Sequence, residues 1–365
     1  MKLEWIQALR ALAALLVLGL HLGQQETRFL EAAISPVFAA AGMSGVDLFF
    51  VISGFVMVWV TRHAPHGSAG FSARFLYARI TRIYPPYWLA TAAMLAGYLL
   101  LDGAFSRQAG DLNVPASLAL WPVGGPPVLV VGWTLIHEMY FYLVFAALLL
   151  APRRWLPALL AVWIATAALA GALLAPGSAP VLHLITHPLT AEFVLGCGAG
   201  LLAASGRRAF ALPSIGLGVV WWLAATILID WSPGAIPPAG WDRVAAFGIP
   251  AAFIVYGVAG LDLDTASRPS RVLIRLGDWS YALYLIHLPL VAALARVWAA
   301  VLPEGGVVGS VGYLVTGAAI SIAAAGLMHR LFEQPVLRLT RKAGDRLFPA
   351  ARPVAQTPRE ATKIW

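Results

Sequence analysis

The sequence predicts an all-α protein, a polytopic bundle of about ten transmembrane helices with both termini in the cytoplasm. Of its 365 residues, 60% are hydrophobic and only 12% are charged, whereas about 25% of the residues in a soluble domain are charged. The apolar residues form continuous runs of the ~20 residues that a helix needs to cross a bilayer, not the alternating pattern of a barrel strand. Lysine and arginine are concentrated in alternate connections between these runs. Together these observations exclude a soluble globule and favour a multi-pass membrane protein.

Each apolar stretch is long enough to span, because a helix rises about 1.5 Å per residue and the hydrocarbon core is about 30 Å thick. In chain order the stretches are residues 5–23, 44–62, 84–102, 132–150, 155–174, 183–204, 212–230, 243–261, 276–299 and 308–331. They form one domain, residues 1–335, and residues 336–365 are expected to be a basic, disordered cytoplasmic tail. The absence of a visible internal repeat argues against a transporter built from inverted repeats.

The positive charges orient the chain. With the N-terminus inside, the cytoplasmic segments carry Lys2, Arg62, Arg74, Arg79, Arg82, Arg153, Arg154, Arg207, Arg208, Arg268, Arg271, Arg275 and the basic residues from Arg338 onward, and the outside segments carry Arg28, Arg107, Arg243 and Arg296. This bias predicts a multi-pass membrane protein with both termini in the cytoplasm, and the membrane we expect is the bacterial inner membrane. The net charge of +8 follows from this topology and from attraction to anionic lipid, without a nucleic-acid partner.

Cys197 is the only cysteine. The chain can therefore form neither an intramolecular disulfide nor a cysteine zinc site.

The first span carries two ionisable residues, Arg10 and His21. Ionisable groups are costly inside a membrane, so each one is a functional candidate. Their separation of eleven residues puts them about 20° apart on one helix face and roughly 16 Å apart along the axis. One face thus presents a fixed cation near the cytoplasm and a titratable base near the outside. The alternative is that Arg10 reaches the interface and His21 bonds a neighbouring helix.

Two carboxylates also lie inside spans. Asp47, in GVDLFFVISGF, is expected at the depth of His21, where a carboxylate would fix the tautomer of the imidazole and raise its basicity. Alternatively, Asp47 caps its own helix. Glu138, in GWTLIHEMYFY, either takes part in catalysis or pairs with an arginine to lock two helices together. Ser53 and Gly54 are expected to be close-packing residues.

Arginines dominate the cytoplasmic loop FSARFLYARITRIYPPYW. Arg79 and Arg82 are three residues apart and share a helix face, and Arg74 is nearby. Guanidinium groups suit phosphates, although ordinary anchoring at the cytoplasmic surface is the interpretation that these residues favour when taken alone. The pair Pro85-Pro86 is expected to begin the third span.

A polar stripe follows one face of the ninth span, where Ser280, Tyr284 and His287 are spaced i, i+4 and i+7. Such a stripe lines a cavity or forms hydrogen bonds between helices. Together with Trp133, we assign it to a substrate cavity.

His183 and His187 have the i, i+4 spacing of metal ligands, but the acid that accompanies the first histidine in such motifs is missing. No metal site is therefore predicted.

Together these segments resemble the acyltransferase-3 family of integral membrane acyltransferases. The resemblance runs from about residue 1 to 340 and rests on Arg10 and His21 with GVDLFFVISGF, RITRIYPPYW, GWTLIHEMYFY, LGDWSYALYLIHLP and FEQPV in order. The segments IQALRALAALLVL and FFVISGFVMVWVT are most similar to the exopolysaccharide-production branch of that family.

The resemblance implies a ten-helix bundle that acts as an O-acyltransferase. It implies acetyl-coenzyme A as the donor co-substrate, with no permanently bound cofactor. His21 matches the family's histidine in the first span, Arg79 and Arg82 match its paired loop arginines, and Glu138 matches its acidic residue.

The resulting hypothesis is transfer of an acetyl or other short acyl group from cytoplasmic acyl-coenzyme A to a hydroxyl of a cell-surface or exopolysaccharide sugar. Coenzyme A is held by Arg79 and Arg82, with Arg74 and Arg10 as helpers. His21 is the general base or a transient acyl carrier, oriented or charged by Asp47 or Glu138. The polysaccharide-synthesis machinery is a possible partner.

Other functions fit the same residues. A transporter or flippase of a lipid-linked sugar or acyl group would line its passage with these groups. A structural partner in a polysaccharide export complex, or an acyltransferase for a small natural product or a lipid head group, is also open.

Overall fold

The described part of the chain is helical and contains no β-strand. A computed structural model describes residues 3–30, 36–100, 112–174, 179–206, 210–229, 237–263, 267–302 and 305–349, and every statement below concerns these residues. The helices are α1 Glu4–Phe29, α2 Pro36–Thr61, α3 Ala69–Leu100, α4 Val114–Ala119, α5 Gly132–Leu148, α6 Leu156–Leu173, α7 Pro180–Ile185, α8 Thr190–Ala204, α9 Ala211–Leu228, α10 Gly240–Arg243, α11 Ile249–Leu263, α12 Arg271–Val301, α13 Gly306–Met328 and α14 Gln334–Leu347. Short π-helical turns, Val244–Gly248 and His329–Glu333, join α10 to α11 and α13 to α14.

Eight helical segments in the described part are long and apolar enough to cross a membrane. They are Glu4–Phe29, Gly42–Thr61, Arg153–Leu173, Pro180–Ala204, Ala211–Leu228, Gly240–Leu263, Arg271–Val301 and Gly306–Leu347. The third and fourth predicted spans are not among these eight segments. They correspond to α3, whose first half is rich in arginine, and to α5, which has 17 residues. The expected count of ten and the cytoplasmic placement of both termini stay predictions.

Helix α1 lies at the centre of the bundle, packed along α2 and α12, while α2 packs along α8. These helices approach closely because glycine lies at their crossings. A Cβ on Gly54 would collide with the Phe193 carbonyl oxygen, and one on Gly277 with the Gln7 carbonyl oxygen. The prediction that Gly54 is a close-packing residue is therefore confirmed. The N-terminus of α1 is capped by Asp262, whose carboxylate accepts the backbone N–H groups of residues 5 and 6 at 2.8 and 3.0 Å, satisfying two donors that a helix start leaves free.

The structure corrects the predicted start of the third long helix. Helix α3 begins at Ala69, so Arg79 and Arg82 lie within the helix and not in a loop, and Pro85 and Pro86 lie inside it. The prolines do not begin this helix; each costs one backbone hydrogen bond within it, and the apolar half of α3 follows them.

The predicted tail also differs from the structure. Residues 336–347, expected to be disordered, belong to α14, which packs against α3. The Tyr77 hydroxyl donates to the Thr340 carbonyl at 3.0 Å, and Arg74 pairs with Asp345 at 2.8 Å. These contacts give the segment the tertiary partners that composition alone did not reveal; residues 350–365 lie outside the described residues.

Candidate active site

A cavity of about 110 Å³ lies between α1, α2, α3, α5 and α12. Its polar lining consists of Arg10, Ser53, Arg79, Arg82, Thr134, Glu138, Tyr142, Ser280, Tyr281 and Tyr284, and aliphatic and aromatic side chains complete it. Six residues that the sequence singled out from four separate segments thus meet around one space: Arg10, Arg79, Arg82, Glu138, Ser280 and Tyr284.

The guanidinium groups give this cavity a positive charge. Arg10, Arg79 and Arg82 line it together with the carboxylate of Glu138; with Glu333, which lies 3.8 Å from Arg82, the positive charges exceed the negative ones by one. Arg79 is buried, and its guanidinium lies 5.9 Å from the ring centre of Tyr142. Charges removed from water are stable only with a compensating partner, and a cavity with excess arginine is therefore suited to an anion.

Glu138 is held by hydroxyl groups. Its Oε1 accepts hydrogen bonds from Ser53 Oγ at 2.9 Å and from the Tyr142 hydroxyl at 2.5 Å. Ser53 was expected only to pack closely, and this role was missed because its partner lies 85 residues away. The bonds fix the carboxylate on the cavity wall, at a distance from His21.

His21 lies beyond the cavity lining and is paired with His287. His21 Nδ1 is 2.9 Å from the Val17 carbonyl oxygen and 3.1 Å from His287 Nε2, and His287 Nδ1 is 3.0 Å from the Leu283 carbonyl oxygen. A carbonyl oxygen only accepts hydrogen bonds, so both Nδ1 atoms carry the proton. His287 Nε2 then accepts from His21 Nδ1–H. The remaining nitrogen, His21 Nε2, carries a lone pair and has no hydrogen-bond partner among the described residues.

Tyr284 separates the histidine pair from the cavity. It lines the cavity, and its ring centre is 5.9 Å from that of His287. Its hydroxyl donates to the Val131 carbonyl at 3.1 Å and lies 2.7 Å from the Thr134 hydroxyl. These bonds hold the Tyr284 ring in place. The predicted stripe along α12 therefore runs from Ser280 and Tyr284 on the cavity wall to His287 in the histidine pair.

Asp47 does not contact His21, and the predicted carboxylate–imidazole pair is wrong for this residue. Arg243 binds Asp47 with two hydrogen bonds, of 2.8 Å from Nε and 2.9 Å from Nη2. Asp47 is fully buried, and a buried carboxylate is stabilised best by such a two-pronged guanidinium contact. Arg243 was counted only as an outside charge, because 196 residues separate it from Asp47.

Two further residues assigned to the site lie apart from the cavity. Arg74 forms an ion pair with Asp345 of α14. Its partner is therefore a carboxylate of this chain, whereas a phosphate of coenzyme A was expected. Trp133 does not line the cavity; its ring packs edge-on against Phe50 and His137, with centres 6.5 and 5.9 Å apart.

A second group of histidines surrounds the start of α5. The ring centre of His187 is 4.8 Å from that of His137 and 5.1 Å from that of His183. Within the described ranges, no cluster of histidine, cysteine, aspartate and glutamate side chains has an arrangement that could hold a metal ion.

Comparison with known proteins places this geometry in context. Residues 3–330 match the family model described as an acyltransferase domain. The chain is 34% identical over 314 residues to exopolysaccharide production protein ExoZ of Rhizobium meliloti, an alignment that covers 81% of this chain and 90% of that protein. It is 28% identical to acyltransferase MdmB of Streptomyces mycarofaciens over 99% of this chain and 96% of that protein. No solved structure shows a significant match.

Proposed function

The chain belongs to the acyltransferase-3 family and is a multi-pass membrane acyltransferase, and we propose that it transfers an acetyl or other short acyl group from cytoplasmic acyl-coenzyme A to a hydroxyl of a cell-surface or exopolysaccharide sugar. The similarity to a protein named for exopolysaccharide production supports this acceptor class. The proposed location is the bacterial inner membrane, with the polysaccharide-synthesis machinery as a partner.

One observation carries the proposal: the arginine-lined cavity is bounded by Tyr284, whose ring packs against His287, and His287 is paired with His21, whose Nε2 keeps a lone pair. The excess positive charge suits the phosphate-bearing donor, whose acyl-pantetheine arm is expected to extend through the cavity toward His21. Arg10 and His21 are separated by about 16 Å along α1. A donor held at the arginines can therefore present its thioester about three helical turns away.

The proposed reaction uses His21 Nε2 as a base. This atom takes the proton of the acceptor hydroxyl as the oxygen attacks the thioester carbonyl, a new C–O ester bond forms, and the C–S bond breaks. The leaving thiolate of coenzyme A then receives the proton, which restores neutral His21. The same lone pair could instead attack the thioester and carry the acyl group before the hydroxyl displaces it.

His287 takes the role that Asp47 was expected to fill. While His21 is protonated, its Nδ1–H remains bonded to His287 Nε2 and to the Val17 carbonyl. These acceptors orient the ring and stabilise the imidazolium, as an acidic residue does in serine hydrolases. Glu138 is assigned to the cavity wall, where it positions Ser53 and Tyr142 beside the donor.

Coenzyme A release from acetyl-coenzyme A tests the proposal. Detergent-purified protein with crude exopolysaccharide is expected to release coenzyme A, and His21→Ala is expected to abolish release. His183→Ala, the same change at an exposed histidine, is the matched control and should act like the wild type. Full release by a folded His21→Ala protein would refute the mechanism. The transporter reading would gain support if neither protein released or bound coenzyme A.

A further inference from the structure

Helix α14 extends from the end of the cavity along α3. Glu333, just before α14, is 3.8 Å from Arg82, which lines the cavity. Further on, Thr340 accepts a hydrogen bond from Tyr77, and Asp345 pairs with Arg74. As residue numbers rise along α14 they fall along α3, so the helices are antiparallel and α14 leads away from the cavity, starting at Arg82.

One face of α14 carries a polar stripe. Gln334, Arg338, Arg341 and Asp345 follow the i, i+4, i+7, i+11 spacing that places side chains on one helix face. The stripe begins beside the Arg82–Glu333 contact and ends at the Arg74–Asp345 pair. Arg338 and Arg341 lie between these points, about 6 and 10 Å beyond Gln334 along the helix axis.

The two arginines have their charges available. Both side chains are exposed, and no carboxylate of the described residues lies within ion-pair distance of either. Leu339 and Leu347 are exposed on a different face of α14, with 67% and 64% of their surface accessible. Helix α14 thus separates an apolar face, suited to lipid, from a basic stripe that continues the arginine lining of the cavity.

The cavity is too small to enclose a whole coenzyme A molecule. Its volume of about 110 Å³ falls below the roughly 300 Å³ at which pockets for drug-sized ligands begin. A donor whose acyl arm occupies the cavity must leave its nucleotide, with the diphosphate and the 3′-phosphate, outside. The stripe is the basic surface that adjoins Arg82 there.

We propose that Arg338 and Arg341 on α14 bind the phosphates of the donor's nucleotide at the mouth of the cavity, with the 3′-phosphate as their principal partner. The inference rests on the proposed function, because it takes acyl-coenzyme A as the donor. Guanidinium groups form paired, charge-assisted hydrogen bonds with phosphate oxygens. The predicted disordered tail is thus a structured part of the donor site.

Equilibrium binding to the detergent-purified full chain tests this assignment, with coenzyme A and dephospho-coenzyme A as the probes. The Arg338→Gln/Arg341→Gln double variant should bind coenzyme A about tenfold more weakly than the wild type. The wild type should prefer coenzyme A to dephospho-coenzyme A, and the double variant should lose that preference. The Lys342→Gln/Arg346→Gln double variant removes the same two charges, one at the edge of the stripe and one on another face of α14, and it should bind coenzyme A like the wild type.

The other outcomes overturn the proposal in distinguishable ways. Wild-type affinity in the double variant would remove α14 from the donor site while leaving the proposed function intact. An equal loss in the Lys342→Gln/Arg346→Gln variant would show that the helix contributes only general surface charge, as a lipid-binding helix would. If the wild type bound neither probe, both this inference and the proposed donor would fall. Since all four substituted side chains are exposed, circular dichroism and size-exclusion profiles should be unchanged.

Discussion

The contact between the two histidines yields the sharpest prediction about catalysis. His287→Phe replaces the imidazole by a ring of similar size that cannot accept a hydrogen bond. His287 is buried, and its ring contacts those of His21 and Tyr284, so an aromatic replacement retains most of the packing. The substitution therefore tests the 3.1 Å hydrogen bond between His287 Nε2 and His21 Nδ1.

The size of the effect follows from what remains after the substitution. A hydrogen bond to a charged group contributes about 1.5–3 kcal/mol, which corresponds to a roughly 10- to 150-fold change in rate. The Val17 carbonyl, 2.9 Å from His21 Nδ1, still accepts the same proton and keeps the tautomer. The loss in kcat should therefore stay below the 10²- to 10⁴-fold contribution of the general base itself.

Initial rates of coenzyme A release, with acetyl-coenzyme A varied at saturating exopolysaccharide, measure this effect. The kcat of His287→Phe should fall about 10- to 150-fold, while KM for acetyl-coenzyme A stays near the wild-type value because the cavity arginines are untouched. His287→Gln, whose amide oxygen can accept the His21 proton, should recover part of the loss. His137→Phe is the matched control, the same change at a histidine outside the pair.

The proposed role of His287 would be refuted by a folded His287→Phe protein with kcat within about twofold of the wild type. A rise in KM with unchanged kcat would also refute it, because it would place His287 in donor binding. Thermal unfolding of each variant shows whether a low rate reflects lost protein or lost chemistry.

Other parts of the structure give three further predictions. Asp47→Asn should lower the free energy of unfolding by about 1.5–3 kcal/mol, because a neutral amide replaces the carboxylate that accepts two hydrogen bonds from Arg243; unfolding in detergent measures this, and an unchanged midpoint would contradict it. Arg82→Gln should raise KM for acetyl-coenzyme A about tenfold with little change in kcat, and initial rates in which only kcat falls would move Arg82 into the chemical step. Gly54→Leu should prevent α2 from packing on α8 and abolish the monodisperse size-exclusion peak, whereas Gly198→Leu, where an added Cβ meets nothing within 4 Å, should keep it.

Part of the cavity lining could be predicted from the sequence because membranes penalise buried charge. Arg10 and Glu138 stand out as ionisable groups within apolar runs, and helical spacing places Ser280 and Tyr284 on one face. Helical spacing describes one element at a time. It therefore identified the stripe along α12 but could not show that His287 would meet His21, 266 residues earlier.

Errors in the sequence-based predictions share a physical cause, which is competition between possible partners. Asp47 was paired with His21 by depth, but the guanidinium of Arg243 offers two charged hydrogen bonds where an imidazole offers one. Arg74 was assigned to coenzyme A, but Asp345 lies within reach. In both cases the partner that won lies far along the chain, and only packing of the helices brings it near.

Under the proposed topology, the polar groups of this bundle divide into two sets along the membrane normal. Arg10, Arg79 and Arg82 face the side from which coenzyme A arrives, whereas His21 and His287 lie toward the opposite side. Tyr284 stands between these sets, held by Val131 and Thr134. An enzyme that joins a cytoplasmic donor to an external acceptor needs such a division, because a continuous polar channel would let water hydrolyse the thioester. Under the proposed mechanism, the bonds that fix Tyr284 keep the two sets apart, and Tyr284→Ala should therefore hydrolyse acetyl-coenzyme A faster than the wild type when no acceptor is present.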